Sequence, residues 1–373
     1  MNKALKVLLF SLLALSLFVV AACGSTEEPA EEAPASEENT EESTDEANDE
    51  TNEEAALEET GELVVYSSRN ENFVNALLEK FTADTGIEVK PLHAGDNAVS
   101  RIKGEAGNTQ ADIFISNDIG ALENLRLEGL LEGSDPEGIE SIDENYRAED
   151  NSWFALSART RVLMYNKDLI TEEEMPKSIE ELTDPKWQGE FAITRGGNGG
   201  MIGHVSALRN EWGDEKTKEW IADVKDNAGA ILEGHGDIRR AVGAGEFTFG
   251  LVNNYYYHQQ LQEPTDNNVG VIYPDQGEGE MGAVVNAAGV GLVKDAPNAQ
   301  SAQVFLDWIL EEENQREFSY ESLEVPINPE IEAVEGAATI SDYKTHDMPL
   351  SQLGEVWEDT RELIEQAGLD LDL

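Results

Sequence analysis

Phe247-Thr248-Phe249-Gly250-Leu251-Val252 runs straight into Asn253-Asn254-Tyr255-Tyr256-Tyr257-His258. The first six residues form a short apolar run that reads as a buried strand. His258-Gln259-Gln260-Leu261-Gln262 behind it reads as the opening of a helix. The tyrosines therefore fall where a strand hands over to a helix. In open α/β sheets that is where ligands bind, outside the carboxyl ends of the strands. Successive helical residues point about 100° apart, so two adjacent tyrosines can converge on one point while the third packs. Aromatic residues are also ordinary strand and core material. The run alone leaves two readings open, packing or a pair of phenolate ligands for a hard, highly charged cation. Free tyrosine holds its proton to a pKa of about 10. A bound cation can remove that proton, and a helix N-terminus favours the resulting charge.

Working outward, the chain alternates strands and helices. Gly61-Glu62-Leu63-Val64-Val65-Tyr66 reads as a strand, and Asn72 to Phe81 as an amphipathic helix with Phe73, Leu77, Leu78 and Phe81 on one side. Ile87 to Leu92 is a second strand. A helix from Asp96 to Lys103, capped by Asp96, follows, then the strand Ala111-Asp112-Ile113-Phe114-Ile115 and a helix through Leu122 and Leu125. Such a β-α-β-α-β run implies a parallel sheet. Trp153 to Tyr165 reads as one or two strands passing through a hinge. Pro185-Lys186-Trp187 and Glu190 to Thr194 open a second β-α set. The glycine loop Gly196-Gly197-Asn198-Gly199-Gly200 precedes a helix from Met201 to Trp212. Further helices are expected at Lys216 to Val224, at Ile238 to Val242 with Asp237 as cap, at Ala299 to Leu310 and at Ser351 to Ala367. Val269 to Tyr273 is another strand. Ala283-Val284-Val285 and Gly289 to Val293 read as strands that cross back to the first lobe.

The chain of 373 residues carries 25 Lys plus Arg against 77 Asp plus Glu, a formal charge of −52. Residues 24–60 hold 16 acidic residues and no Lys or Arg, yet the excess persists beyond them, 61 acidic against 23 basic. That argues against nucleic acid and anionic lipid surfaces as partners, and suits a salty medium that screens self-repulsion. Lys3 and Lys6, the apolar run Leu8 to Val20 and the small residues Ala21-Ala22 before Cys23 have the layout of an export leader. They resemble the lipobox of bacterial lipoproteins, in which Cys23 would be acylated and become the mature N-terminus. Residues 1–23 are thus expected to be a lipoprotein signal peptide and 24–60 a disordered acidic linker. Cys23 is the one cysteine, which excludes disulfides and thiolate metal sites.

Familiar catalytic sets are missing: there is no His-Glu-x-x-His, Walker loop, complete dinucleotide fingerprint or Gly-x-Ser-x-Gly. The five histidines, His93, His204, His235, His258 and His346, are scattered, and His258 alone adjoins the tyrosines. Arginines are scarce and so informative. Arg159 and Arg161 alternate in an apolar run and should face one side, either in salt bridges or holding an anion at the hinge through a guanidinium fork. The glycine loop at 196–200 can present backbone N–H groups at a helix start, a good anion site.

Several stretches together resemble the ferric-ion-binding proteins of ABC iron importers. They are Val65-Tyr66-Ser67-Ser68-Arg69, Phe81-Thr82-Ala83-Asp84-Thr85-Gly86-Ile87, Ala111 to Ser116, Ala155 to Val162, Asn253-Asn254-Tyr255-Tyr256, Gly282 to Val285 and Val325-Pro326-Ile327-Asn328-Pro329. The resemblance spans residues 62 to about 368. It implies an α/β, two-lobed periplasmic-binding-protein type II fold with a ligand cleft between lobes joined by crossing strands. Residues 61–161 and 284–336 would form mainly lobe 1, and 162–283 and 337–373 mainly lobe 2. It implies Fe³⁺ as transported ligand on Tyr255 and Tyr256, with carbonate or a similar small anion on Arg159, Asn198, Gly199 and Gly200. Tyr257 would pack. Arg69, Asn70, Asn117 and Asp118 are candidates for the opposite cleft wall. Asn70 and Asn117 stand where many relatives supply a histidine and a glutamate. The implied protein is a lipid-anchored receptor on the extracytoplasmic face of the cell membrane, no enzyme, serving an ABC permease and its ATPase. The alternatives are the same fold holding a polyamine, a thiamine-like cation or an organophosphonate, or an exported enzyme.

Overall fold

A computed structural model describes residues 61–95 and 97–372. Cys23, the leader, the acidic linker and the cap expected of Asp96 lie outside the described residues.

The described chain holds ten strands: β1 (Glu62–Ser67), β2 (Glu88–His93), β3 (Ile113–Ser116), β4 (Trp153–Asn166), β5 (Phe191–Thr194), β6 (Ala230–Leu232), β7 (Phe249–Asn253), β8 (Val269–Ile272), β9 (Val285–Leu292) and β10 (Val325–Pro326). The helices are α1 (Glu71–Thr85), α2 (Asn97–Gly104), α3 (Ile119–Leu127), α4 (Gly199–Trp212), α5 (Asp214–Asn227), α6 (His235–Gly243), α7 (Asn254–Leu261), α8 (Ala299–Ile309), α9 (Glu312–Tyr320), α10 (Ser351–Glu355) and α11 (Trp357–Gln366). None is long and apolar enough to cross a membrane.

The expected parallel start is present: β1 pairs in parallel with β2 on one side and β3 on the other. Local signals explain the helices between them. Asn70 caps α1 by accepting from Asn72 N–H, and Gly86, at φ 76°, ends it in a left-handed turn that a Cβ would disfavour. Val74, Leu77, Leu78 and Phe81 turn inward.

β4 joins the two halves. It is one continuous strand of 14 residues, buried at every position. From Trp153 to Thr160 it pairs with β9, and Ala158 and Ser157 also meet β10. From Arg161 onward it pairs with β7 on one edge and β8 on the other. The strand order is β2-β1-β3-β9-β4-β7-β5-β6, so a lobe hangs on each half of β4. β9 is likewise one strand where two short ones were expected. Asn286 interrupts its apolar pattern, but β3 and β4 pair with its two edges.

Three buried clusters follow this layout. The first takes Leu63, Val65, Phe114, Trp153, Phe154 and Val290 with apolar faces of α1, α3 and α8. The other two lie on opposite faces of the second half of β4. Leu163 and Tyr165 point into one, and Val162 and Met164 into the other. That is the two-residue period of a strand covered on both sides. Within it, Phe249 stacks on Phe191 at 5.2 Å and meets the edge of Trp187 at 5.3 Å.

Other expectations need correction. The helix expected at 351–367 breaks at Val356 into α10 and α11, because they serve different cores. Leu350 and Leu353 join the first cluster, whereas Trp357, Leu363 and Ile364 join the second. Asp237 does not cap α6, which begins two residues earlier at His235. Its carboxylate instead accepts from Arg240 at 2.6 Å. Pro185–Trp187 forms only a short 3-10 turn. The helix expected to begin after the tyrosines begins at Asn254, so all three tyrosines lie inside it.

Removing the Phe249 ring leaves a cavity between two aromatic neighbours. Phe249→Ala should lower the unfolding free energy by about 3–5 kcal/mol, read as a drop in urea midpoint. A loss under about 1 kcal/mol would mean that this aromatic stack is not a principal support of the second lobe.

Candidate functional site

The two asparagines before the tyrosines fasten α7 to β4. Asn253 Oδ1 accepts from Arg161 Nη1 at 3.1 Å, and Asn254 Oδ1 accepts from the backbone N–H of Thr160 at 3.0 Å. With the first helical turn fixed this way, the rings of Tyr255 and Tyr256 lie 4.3 Å apart at 32°. Tyr255 is buried, with the Tyr256 hydroxyl as a hydrogen-bonding neighbour. Burial pushes the Tyr255 phenol well above 10, helped by Tyr256 and Glu324 and opposed by Arg159. Burial also raises Tyr256, against the hydrogen bond from Tyr255 and the charge of Arg159. Both are therefore phenols at rest. Tyr257 packs on the third cluster, its ring 5.1 Å from that of His258.

Arg159 and Arg161 both lie buried on β4, opposite Asn286 of β9 and Asn253 of β7. Arg159 Nη2 stands 3.8 Å from Asp118 Oδ2. Asp118 caps α3, accepting from Gly120 N–H at 2.8 Å and from Asn286 Nδ2 at 2.5 Å. Burial raises its carboxyl to about 6 although Arg159 and these donors pull the other way. Arg161 has no carboxylate in ion-pair reach among the described residues. Its Nη1 donates to His235 Nε2 at 2.6 Å, and its Nη2 has no partner. A guanidinium only donates, so the His235 proton sits on Nδ1. Burial, then Arg161 and Arg159, hold His235 neutral. Arg161 itself is pushed down to about 9 by burial and then by Arg159.

The first turn of α4 closes over these charges. Asn198 caps it, accepting from Gly200 N–H at 3.0 Å. A Cβ at Gly200 would lie 2.9 Å from the His235 ring and 3.4 Å from Arg161 Nη1. One turn on, a Cβ at Gly203 would lie 2.4 Å from Asn286 Nδ2 and 3.0 Å from Asp118 Oδ2. Only glycine lets this helix approach so closely. The loop residues Asn198, Gly199 and Gly200 thus come beside Arg161, while Arg159 lies next to Asp118.

The four candidates for the opposite wall separate. Arg69 is buried, pairs with Glu324 at 3.0 Å and stacks 4.4 Å over Phe318. Asn70 is exposed and serves as the cap of α1. Asn117 donates to Ser68 O at 2.9 Å and, with Asp118, lines a cavity of about 530 Å³ that also meets Gly199 and Trp357. Among the described residues, no three His, Cys, Asp or Glu side chains converge as a metal cluster.

The pattern for bacterial extracellular solute-binding proteins matches residues 76–346. The chain belongs to that family. Among curated solute-binding relatives, iron uptake protein A1 of Synechocystis sp. is 33% identical over 83% of this chain and 88% of its own. The major ferric iron-binding protein of Neisseria meningitidis is 28% identical over 84% of this chain and 95% of its own. Among solved structures, iron-bound HitA from Pseudomonas aeruginosa superposes with a TM-score of 0.78 at 28% identity, covering 83% of this chain and all of that one. The Trichodesmium protein IdiA (FutA), in complex with iron and citrate, gives 0.72 at 28% identity over 83% of this chain and all of its own. The fold is the two-lobed periplasmic-binding-protein type II architecture of these solute-binding proteins.

In this solute-binding protein the sequence reading missed His235, Glu324 and Asn286. His235 meets the Tyr256 ring edge-on at 5.2 Å, whereas His258 turns to Tyr257. His258 adjoins the tyrosines in sequence, whereas a glycine on each side of His235 gave no apolar pattern to place it. Glu324 accepts from Arg69 and Ser157 and acts on Tyr255, but among 77 acidic residues nothing marked it out.

His204, one turn along α4 from Gly200, is buried with neither ring nitrogen bonded. Burial, then Arg161 and His346, hold its pKa far below 6.5. The unfolded chain therefore takes up that proton first. The stability tied to the neutral ring is present above about pH 6.5 and lost as pH falls below it. His204→Leu should flatten the decline in Tm between pH 7 and pH 5. Parallel Tm profiles for wild type and variant would show that His204 does not contribute.

Proposed function

We propose that this protein is a lipid-anchored receptor that captures ferric iron together with a small anion and delivers it to an ABC importer. It is a binding protein and no enzyme. As a member of an extracellular family it works outside the cytoplasm. The observation that carries this reading is the pair of phenols, Tyr255 buried and Tyr256 half-buried, 4.3 Å ring to ring, beside two buried guanidiniums of which one lacks a carboxylate partner among the described residues. Hard Fe³⁺ takes oxygen ligands. Its charge offsets the desolvation that keeps Tyr255 and Tyr256 protonated, so binding releases their protons. The resulting phenolates sit beside Arg159 and Arg161, and an anion between the arginines and the first turn of α4 supplies oxygens that the protein does not. Arg161, with Asn198, Gly199 and Gly200 around it, is the nearer anion anchor, and Arg159 adds charge from beside Asp118.

Apo protein given a ferric salt with bicarbonate should develop a visible phenolate-to-iron charge-transfer band. Tyr255→Phe and Tyr256→Phe should each weaken iron binding by at least about 100-fold, the scale of losing one charged ligand at roughly 1.4 kcal/mol per decade. An uncoloured wild type, or variants that keep the full band, would refute the assignment. A thermal shift with an organophosphonate but none with iron would favour that solute in its place.

Cys23 is the proposed acyl anchor, because small residues precede it after an apolar run. Expressed in a host with lipoprotein processing, the wild type should partition into membranes and label with a radioactive fatty acid. Cys23→Ser should do neither. Equal membrane retention of the unlabelled variant would remove the anchor.

A further inference from the structure

Between β10 and α10 the chain runs as an irregular segment that is sewn to the loop between β8 and β9. Lys344 O accepts from Ala283 N–H at 2.9 Å, Ala283 O accepts from His346 N–H at 3.0 Å, and Lys344 N–H donates to Gln276 Oε1 at 2.8 Å. Gly282, at φ 87°, makes room for the seam, since a Cβ there would lie 2.6 Å from the Thr345 carbonyl. The seam brings one aromatic side chain to the crossing strand. Tyr343 stacks its ring on that of Tyr273, just past β8, at 4.1 Å and 28°. Its hydroxyl shares a hydrogen bond of 2.5 Å with Thr160 Oγ1. Burial raises the Tyr343 phenol, opposed by that bond, so the hydroxyl keeps its proton.

Thr160 is fully buried where β4 changes partners. Side chains alternate along a strand, so Thr160 points away from Arg159 and Arg161, and Tyr343 stands behind the site. The backbone N–H of Thr160 donates to Asn254 Oδ1 at 3.0 Å. Asn254 opens α7, directly before Tyr255 and Tyr256. Burial raises the Tyr273 phenol to about 12, opposed by the Asn254 side chain, so the aromatic stack also adjoins Asn254. Tyr343, Thr160, Asn254 and Tyr273 thus close a ring around the start of α7. Phe and Val would fill the places of Tyr343 and Thr160 without polar groups to desolvate. What the hydroxyl pair adds is a fixed orientation.

Resting on the iron reading, we infer that Tyr343 is a positioning residue of the iron site: through Thr160 and Asn254 its hydroxyl sets the first turn of α7, and with it the angle at which the Tyr255 and Tyr256 oxygens meet the metal. Groups that orient metal ligands from behind are worth about 10–100-fold in metal affinity.

The test measures iron affinity by chelator competition, from a ferric salt with bicarbonate and well below every Tm, and records the charge-transfer band of each protein. Tyr343→Phe and Thr160→Val should each weaken iron binding by about 10–100-fold and displace the band maximum. The double variant removes both polar partners together, so its Tm should return most of the way to that of the wild type, while affinity and band stay at the single-variant values. Tyr320→Phe, which loses a hydroxyl that donates to Glu332 O at 2.6 Å on α9, serves as control and should change neither. Single variants that bind iron like the wild type with an unmoved band, or a double variant that regains affinity together with Tm, overturn the inference and leave the iron reading standing. Should Tyr343→Phe fail to fold, Thr160→Val and the double variant decide on the same readouts. A wild type without a band overturns both.

Discussion

Two guanidiniums two residues apart on one buried strand set the terms for the rest of this molecule. A charge away from water must be paired or neutralised, and losing one partner of a buried pair costs about 3–5 kcal/mol. Arg159 has Asp118, 3.8 Å away and itself raised to about 6 by burial. Among the described residues Arg161 has only neutral partners, an imidazole and an amide. The site therefore holds excess positive charge in a protein of formal charge −52. An interior so arranged is preorganised for an incoming anion, or for phenols that become phenolates. The glycines at 200 and 203, the cap at Asn198 and the neutral His235 all follow from bringing helices close to that charge without a carboxylate beyond Asp118.

The same strand explains why site and fold cannot be separated. β4 changes partners between Thr160 and Arg161, from β9 to β7 and β8. Arg159 thus belongs to one lobe's sheet and Arg161 to the other's. Thr160 between them receives α7 through Asn254 and meets Tyr343 through its hydroxyl at 2.5 Å. A shift of one lobe on the other acts first on these three residues, which carry the charge of the site.

Much of this was legible in the sequence, and the gaps have physical causes. Alternating apolar runs gave β1, β3 and β7, and the one-sided helix with Leu77, Leu78 and Phe81 gave α1. The paired arginines are a rare residue type in this chain, so they carried information. What failed was long-range. Nothing local tells that Val285 to Leu292 is one strand, since its continuity comes from β3 and β4 on its edges. Nothing local separates α10 from α11, because the break follows from two different cores. In the site, Arg69 and Asn70 look like wall residues by position, yet one is committed to Glu324 and the other to a helix cap. Glu324 was hidden by an abundance of similar carboxylates, and His235 by its glycine neighbours.

The break at Val356 has a mechanical meaning. α10 packs with the first lobe and α11 with the second, and Val356, at φ −112° and ψ 8°, is the single residue between them. One residue of extended chain reaches at most about 3.3–3.6 Å, so the joint has almost no slack. Beside the two crossing strands it is a third, very short connection between the halves, and the residues just past it, Trp357 and Glu358, line the cavity wall.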